Sequence, residues 1–442
     1  MKNGSHKPAI NAHLGELPPA RPGSVAFFAN LQYIFFDNQA LTDELRATVH
    51  TLDSYGGRLL PALGLLWDGP DNILILERPP LPGFHEYLTH SLGLRLPHLL
   101  FCGIDDAITP EIENAVRNSP GCFIDGFVTD ERLAHLAETT DTPLAGTVDG
   151  SHRGNNKYLL HHFLEENGEP IFDTIDAANP DGIAPAGAAL AKQGYHHIVI
   201  KAAVGASGIG LVRANANNPP PIPAHYFFDG PCLVQGWIDD TLDDITKVTS
   251  PSVQFLITEE SVHLYDLTDQ ILSVDSVHEG NIAPPEPPLE PAVSEELLRQ
   301  AKLTALWLHA QGYRGTGSTD FHLAFHNDGN VDIRICEINA RVTGATYPSL
   351  LARHFQKGGS WLMRNLLLSD PMESRNVFDQ LSQADLLYTP GRKSGVLPVN
   401  FNSTPDGLVA KGQFLILGPS HQSLHETMSR TLHQKNLHFT RD

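Results

Sequence analysis

The sequence is poor in cysteine, in positive charge and in long apolar runs. Its four cysteines, Cys102, Cys122, Cys232 and Cys336, show neither CxxC nor Cys/His ligand spacing. That excludes a disulfide framework and a structural zinc site, and makes a reducing cytoplasm the expected compartment. Only 30 Lys and Arg stand against 51 Asp and Glu, a formal charge of −21. Such a surface repels nucleic acid and anionic membranes, so a phosphate-bearing ligand must be held by locally placed Lys, Arg, backbone amides or metal. No apolar run has the length of a bilayer span, and the N-terminal MKNGSHKPAINAHLGELPPARPGS has no apolar signal-peptide core. Residues 1–22 read as a flexible leader. The 23 histidines, with pairs at His161-His162 and His196-His197, have no consistent ligand pattern and read as surface or packing residues.

What is present is a chain of 442 residues, too long for one compact core. From residue 23 to 148, apolar runs (SVAFFAN, NILILE, HLLFCGI, CFIDGFV) alternate with amphipathic ones (LTDELRATVHTL, ITPEIENAVRN, DERLAHLAETT). That alternation predicts an α/β unit with a mainly parallel sheet. No GxGxxG follows its first strand, so a dinucleotide site there is unsupported. Next, NNKYLLHHFLEENG and EELLRQAKLTALWLHAQG have helical periodicity and end at Gly168 and Gly312. Beyond residue 366 a smaller unit holds the strands SGVLPVNF and GQFLILG and the amphipathic HQSLHETMSRTLHQ.

Two stretches carry chemistry. HHIVIKAAVGASGIGLVRA places Lys201 at the end of an apolar strand, before Gly205, Ser207, Gly208 and Gly210. Glycines let successive backbone N–H groups turn toward an anion, and the lysine adds a point charge. No lysine follows the last glycine and the next segment reads as strand, so this is a flap between strands rather than a Walker loop. A plain hairpin with a solvated lysine has the same pattern.

The second stretch, GSTDFHLAFHNDGNVDIRICEINAR, is a hairpin candidate around Asp328-Gly329. A two-residue turn there pairs Asn327 with Asn330 and puts Asp320 directly opposite Glu337. Strict alternation puts Val331, Ile333, Ile335, Glu337, Asn339 and Arg341 in equivalent slots, with Asp332 and Arg334 on the other face. Like charges directly across an antiparallel pair, with Cβ atoms ~5 Å apart, are destabilising. A shared proton, a nearby arginine or a cation would offset that repulsion, and two carboxylates with the Asn339 amide oxygen make a hard-oxygen set suited to Mg²⁺ beside nucleotide phosphates.

A lysine, a glycine-rich flap and a later Asp…Glu-x-Asn set, in this order over roughly residues 150–350, resemble the ATP-grasp superfamily. The resemblance implies an α/β and α+β multidomain fold. It has an N-terminal α/β pre-ATP-grasp domain (23–148), a lid subdomain bearing the flap (149–230), a metal-binding subdomain (231–365) and a small C-terminal α+β unit (366–442), with nucleotide between the two α+β subdomains. It further implies that Lys157 and Lys201 contact phosphates. The hinge CLVQGWID would read adenine through the Gln235 side chain and the backbone near Trp237 and Ile238. Asp320, Glu337 and Asn339 would hold Mg²⁺, or Mn²⁺ in its place, and Arg341 would face the transferring phosphate. Asp239, Asp240, Asp243 and Asp244 are all candidates for the ribose. EINARVTGATYP and RKSGVLPVNF look similar to the subgroup containing the pheganomycin-type peptide ligase and the butirosin-pathway carrier-protein ligase.

The implied reaction is ATP-dependent activation of a carboxylate as acyl phosphate and attack by the amine of an amino acid or peptide, releasing ADP and phosphate. His278 in SVHEGN and Thr343 are candidate substrate contacts, His278 also a candidate base. A carrier-protein thiol as acceptor, kinase chemistry on an alcohol, and a non-catalytic nucleotide-binding regulator are the rival readings. The N-terminal unit leaves a surface for a homodimer.

Overall fold

Strands rich in Val, Ile, Leu and Phe can be buried on both faces only if helices cover them. That is the arrangement of the first unit, in a computed structural model that describes residues 7–36, 47, 56–103, 106–206, 208–239, 241–242, 244–272, 278–434, 437 and 439–441. After β1 (Ala9–Ala12), the strands β2 (Ser24–Phe28), β3 (Ile73–Leu76), β4 (His98–Phe101) and β5 (Cys122–Gly126) form a parallel sheet in the order β4-β3-β2-β5. The helices Pro110–Arg117 and Glu131–Thr140 follow β4 and β5. Each starts at a side-chain cap, Thr109 accepting from the Ile112 N–H and Asp130 from the Leu133 N–H. The helix expected over LTDELRATVHTL lies outside the described residues except at residue 47.

A second, four-stranded sheet contains β6 (Thr174–Ala177), β7 (His197–Lys201), β8 (Leu211–Asn215) and β9 (Cys232–Gly236) in the order β6-β9-β7-β8, with every neighbouring pair antiparallel. The helix Ile183–Lys192 packs Ile183, Ala186 and Leu190 against it. The flap connects β7 to β8.

The third sheet is the largest. It comprises β10 (Ile245–Thr249), β11 (Pro251–Ile257), β12 (Ser261–Leu272), β13 (His278–Ala283), β14 (Gly315–His326), β15 (Val331–Asn339), β16 (Ser360–Met372), β17 (Gly395–Ser403), β18 (Val409–Gly418) and β19 (Phe439–Arg441), together with β1. The long helix Pro291–Ala310 buries Leu297, Ala301, Ala305 and Leu308 against Phe255, Phe321, Ile335 and Ile338 of this sheet. Residue 366 falls inside β16, which pairs with β13 on one side and β18 on the other, so the C-terminal strands extend the large sheet.

Part of the segment that reads as a flexible leader is a strand. β1 pairs in parallel with Ser261–Leu264 of β12, and the Ala9, His13 and Gly15 N–H groups donate to the carbonyls of Glu260, Leu264 and Tyr265. Polar, proline-rich composition masked a four-residue strand whose stability comes from an otherwise open sheet edge. Among the described residues no helix is long and apolar enough to cross a membrane, and all four cysteines are free.

Candidate functional site: a carboxylate pair beneath a glycine flap

β14 and β15 form the expected hairpin by a different route. His326 N–H donates to the Asn330 carbonyl, and Gly329 takes φ +88°, so the loop has three residues rather than two, with glycine in the left-handed position such loops use. That shifts the register by one. A β-bulge at Cys336 shifts it back, because Phe321 pairs with Ile335 while Asp320 pairs with Glu337. The bulge also breaks the alternation. Ile335 and Ile338 lie in the core under the long helix, so Glu337 and Asn339 point to the opposite face, which Arg334 shares. A bulge that re-aims side chains is a recurrent device beside functional sites.

Asp320 and Glu337 are both in the site but in different electrostatic states. Asp320 accepts from Ser252 Oγ (2.6 Å) and Ser318 Oγ (2.9 Å) on one oxygen and from Asn339 Nδ2 (3.0 Å) on the other. All three donors are neutral. Burial, and then the facing Glu337, raise its pKa well above the ordinary carboxylate range. Burial acts on Glu337 in the same direction, but Lys157, with Nζ 3.0 Å from Oε2, and Arg341 outweigh it and hold Glu337 well below that range. Asp320 is further fixed by a chain of donors in one direction: Thr343 Oγ1 to Gln254 Oε1 (3.2 Å), Gln254 Nε2 to Ser252 Oγ (2.8 Å), Ser252 Oγ to Asp320.

Lys157 also ties down the flap. It opens the helix Lys157–Glu166, whose Asn156 cap accepts from the Leu159 N–H, and its backbone N–H donates to the Ala203 carbonyl while Nζ donates to the Gly205 carbonyl at 3.2 Å. Gly208 and Gly210 take φ +83° and +84°. At Gly205 the constraint is space, since a Cβ would lie 2.4 Å from the Ile209 carbonyl oxygen. Gly205→Ala is therefore expected to force the flap out of this path and, if the flap covers a nucleotide as the resemblance implies, to weaken ATP binding by about 10-fold, a loss on the order of one charge-assisted hydrogen bond; calorimetric titration with ATP checks it. Ser207 lies outside the described residues. Lys201 is buried, its pKa lowered by that burial, with Nζ 5.4 Å from the Phe172 ring centre.

Between the two antiparallel sheets a cleft is lined by Lys157, His161, Phe172, Leu233, Gln235 and Cys336, among others. Gln235 is 4% exposed and Ile238 packs with Phe172 and Ala324. The Trp237 indole donates to Asp239 (2.8 Å), which also pairs with Arg213 (2.6 Å). Of the four ribose candidates, Asp239 is thus engaged with Trp237 and Arg213, and Asp244 accepts from or pairs with His326 (2.9 Å); Asp240 and Asp243 lie outside the described residues.

Arg341 is buried and donates to Asn155 Oδ1, and Asn155 in turn donates to the Ser151 and Ala340 carbonyls. Its field reaches Glu337 and Asp320. His278 lies elsewhere: it bonds Asn281 (2.7 Å) beside Gly344, and none of its described contacts is with the carboxylate pair. Thr343 is engaged with Gln254 and Thr346. Ser252, Gln254, Asn155, Phe172 and His322, whose ring lies 5.9 Å from Phe172, escaped the sequence reading. Ser252, Gln254 and Phe172 reach the site from segments with no motif, whereas Asn155 and His322 lie beside Lys157 and Asp320 in the chain without a signal of their own.

Among the described residues no cluster of three or more His, Cys, Asp and Glu is placed to hold a metal. The donor set on offer is two facing carboxylates and one amide, all hard oxygens once Asn339 turns its Oδ1 to them in place of Nδ2. This set fits Mg²⁺ completed by phosphate oxygens and water.

No protein-family model matches the sequence. The chain is 30% identical over 199 residues to the butirosin acyl-carrier protein–L-glutamate ligase of Niallia circulans, an alignment spanning 44% of this chain and 44% of that protein. In three dimensions it is similar to a biotin carboxylase–β-γ-ATP complex from Campylobacter jejuni (TM-score 0.57, 13% identity, 95% of this chain and 92% of that one). It is also similar to carboxyaminoimidazole ribonucleotide synthase from Aspergillus clavatus complexed with ATP (TM-score 0.54, 13% identity, 92% and 96%) and to N5-carboxyaminoimidazole ribonucleotide synthetase from Thermus thermophilus (TM-score 0.54, 12% identity, 93% and 98%). With a parallel α/β unit in front and two antiparallel sheets enclosing the flap and carboxylate hairpin, the chain has the ATP-grasp fold.

Proposed function

We propose that the chain is an ATP- and Mg²⁺-dependent ligase that activates a carboxylate as acyl phosphate and joins it to an amine of an amino acid or peptide. The observation that carries this reading is the double engagement of Lys157, which bonds the flap at Gly205 and the carboxylate pair at Glu337. One side chain thereby registers both halves of a phosphate site. Mg²⁺, held by Asp320, Glu337 and Asn339, would supply charge neutralisation on the phosphates.

The chain's own part is positioning and electrostatics. Lys157 and Lys201 hold phosphate oxygens, the flap excludes water, and Arg341 balances negative charge as it develops. A carboxylate oxygen attacks the γ-phosphorus and ADP leaves; the amine nitrogen then attacks the acyl carbon and inorganic phosphate leaves. Each step forms one bond and breaks one, with the amine proton released to solvent. No side-chain nucleophile is required.

The resemblance in sequence to a carrier-protein glutamate ligase favours a second reading, in which the acceptor is borne by a carrier protein. The net charge of −21 works against docking an acidic carrier.

Incubation with ATP, Mg²⁺ and a panel of amino acids and small carboxylates, followed by mass spectrometry, tests the proposal. ADP, phosphate and a product lighter than its two substrates by one water are expected. AMP with pyrophosphate overturns the acyl phosphate route, and a phosphorylated alcohol indicates a kinase. A parallel incubation with a phosphopantetheinyl carrier protein separates the second reading, since only that reading predicts a mass gain on the carrier.

A further inference from the structure

Thr174 lies opposite Gln235 in the register of β6 and β9 and has no role in the reading above. Its hydroxyl makes two hydrogen bonds of opposite sense. It donates to the Phe172 carbonyl at 2.8 Å and stands 3.1 Å from the Gln235 amide. A hydroxyl has one proton, and here that proton is committed to Phe172, so toward Gln235 the oxygen can only accept. The amide must then present Nε2 to Thr174. Its orientation follows from donor counting.

The consequence falls on the other amide atom. Gln235 Oε1 is buried and finds no donor among the described residues, and Gln235 lines the cleft with Phe172 and Leu233. A buried acceptor left unpaired is costly unless a ligand supplies the donor. We propose that Thr174 is a positioning residue that locks Gln235 with its carbonyl toward the cleft, making the site select a purine with a 6-amino group over one with a 6-oxo group. The 6-amino group of ATP donates to Oε1. The 6-oxo group of ITP opposes acceptor with acceptor, and a site built around a buried hydrogen-bonding group rejects the analogue that cannot pair with it. This inference rests on the nucleotide reading of the cleft and adds to it both the direction of the hydrogen bond and the residue that sets it.

Calorimetric titration of the full chain with ATP and with ITP, in Mg²⁺, tests it. Wild type is expected to favour ATP by about 10-fold or more. Thr174→Val keeps the shape and strand preference but removes the hydroxyl, freeing the amide to turn, and the ATP:ITP ratio is expected to fall about 5-fold, the size of one net hydrogen bond. Thr174→Ser restores it. Gln235→Leu lowers the ratio at least as far as Thr174→Val does, and adding Thr174→Val to Gln235→Leu changes it no further. A loss of packing alone lowers affinity for both nucleotides in proportion and leaves the ratio where it was, and that result with Thr174→Val overturns the inference while the nucleotide reading stands. Wild-type protein that binds neither nucleotide overturns both.

Discussion

Glu337→Gln is expected to lower ADP release from ATP and Mg²⁺ by about 10²–10³-fold, the scale of removing one preorganised charge-stabilising group from an active site. The substitution keeps the size of the side chain and the bulged register of β15, so the hairpin stays intact. What changes is charge. Glu337 is the member of the pair whose ionised form is stabilised, by Lys157 at 3.0 Å and by Arg341, whereas burial and Glu337 itself raise the pKa of Asp320. With the negative charge of Glu337 gone, Lys157 loses its ion pair, and the oxygen set available to a divalent cation loses one of its two carboxylates. ATP titrated in EDTA should still bind, because the cleft at Gln235 and Lys201 are untouched. Loss of turnover with retained metal-free binding is the expected pattern; turnover within a few-fold of wild type removes Glu337 from the site.

Much of this site was legible because its parts are local. Lys201 and the glycines lie within ten residues of one another, and Asp320 and Glu337 lie on two strands joined by one turn. Their juxtaposition came out correctly from an assumed two-residue turn only because two departures cancel, a third loop residue at Gly329 and an extra residue at Cys336. Strict alternation groups Glu337 with Ile335, whereas the bulge puts them on opposite faces, which is also why Arg334 shares the site's face. Bulges carry no sequence signal of their own; an Ile-Cys-Glu-Ile run fits either phase.

The partners that hold the site in place were beyond reach for a different reason. Ser252, Gln254 and Asn155 sit 68, 89 and 186 residues from Asp320, Thr343 and Arg341, the groups they respectively bond. Nothing in a polar residue at such separation distinguishes it from a surface one until the sheet order is known. β1 shows the same limit for the fold: its pairing depends on the β12 edge, some 250 residues later.

Asp320→Asn separates stability from function, and its sign follows from the electrostatics. The folded state raises the pKa of Asp320 to about 6, so it binds a proton more tightly than the unfolded chain does, and stability is lost as pH rises from the ordinary carboxylate value to the raised one. The neutral amide removes that penalty. Its Oδ1 still accepts from Ser252 and Ser318, and Asn339 can turn its own Oδ1 toward the new Nδ2, at the loss of its 3.3 Å bond to Ser318 Oγ and its 3.5 Å contact to Glu337. At pH 8 in EDTA the variant should unfold at higher temperature than wild type, by about 1 °C for each ~1 kcal/mol relieved. The gain should hold down to about pH 6 and shrink below it, as wild-type Asp320 takes up its proton. Adding ATP with Mg²⁺ should reverse the order, because a ligand stabilises only the form that binds it and the variant offers one carboxylate in place of two. Turnover is expected to fall about 10²-fold or more. A variant that melts below wild type in EDTA across pH 6–8 would show that Asp320 contributes more as a hydrogen-bond acceptor than it costs as a buried charge, and the facing pair would then have no strain for a cation to relieve.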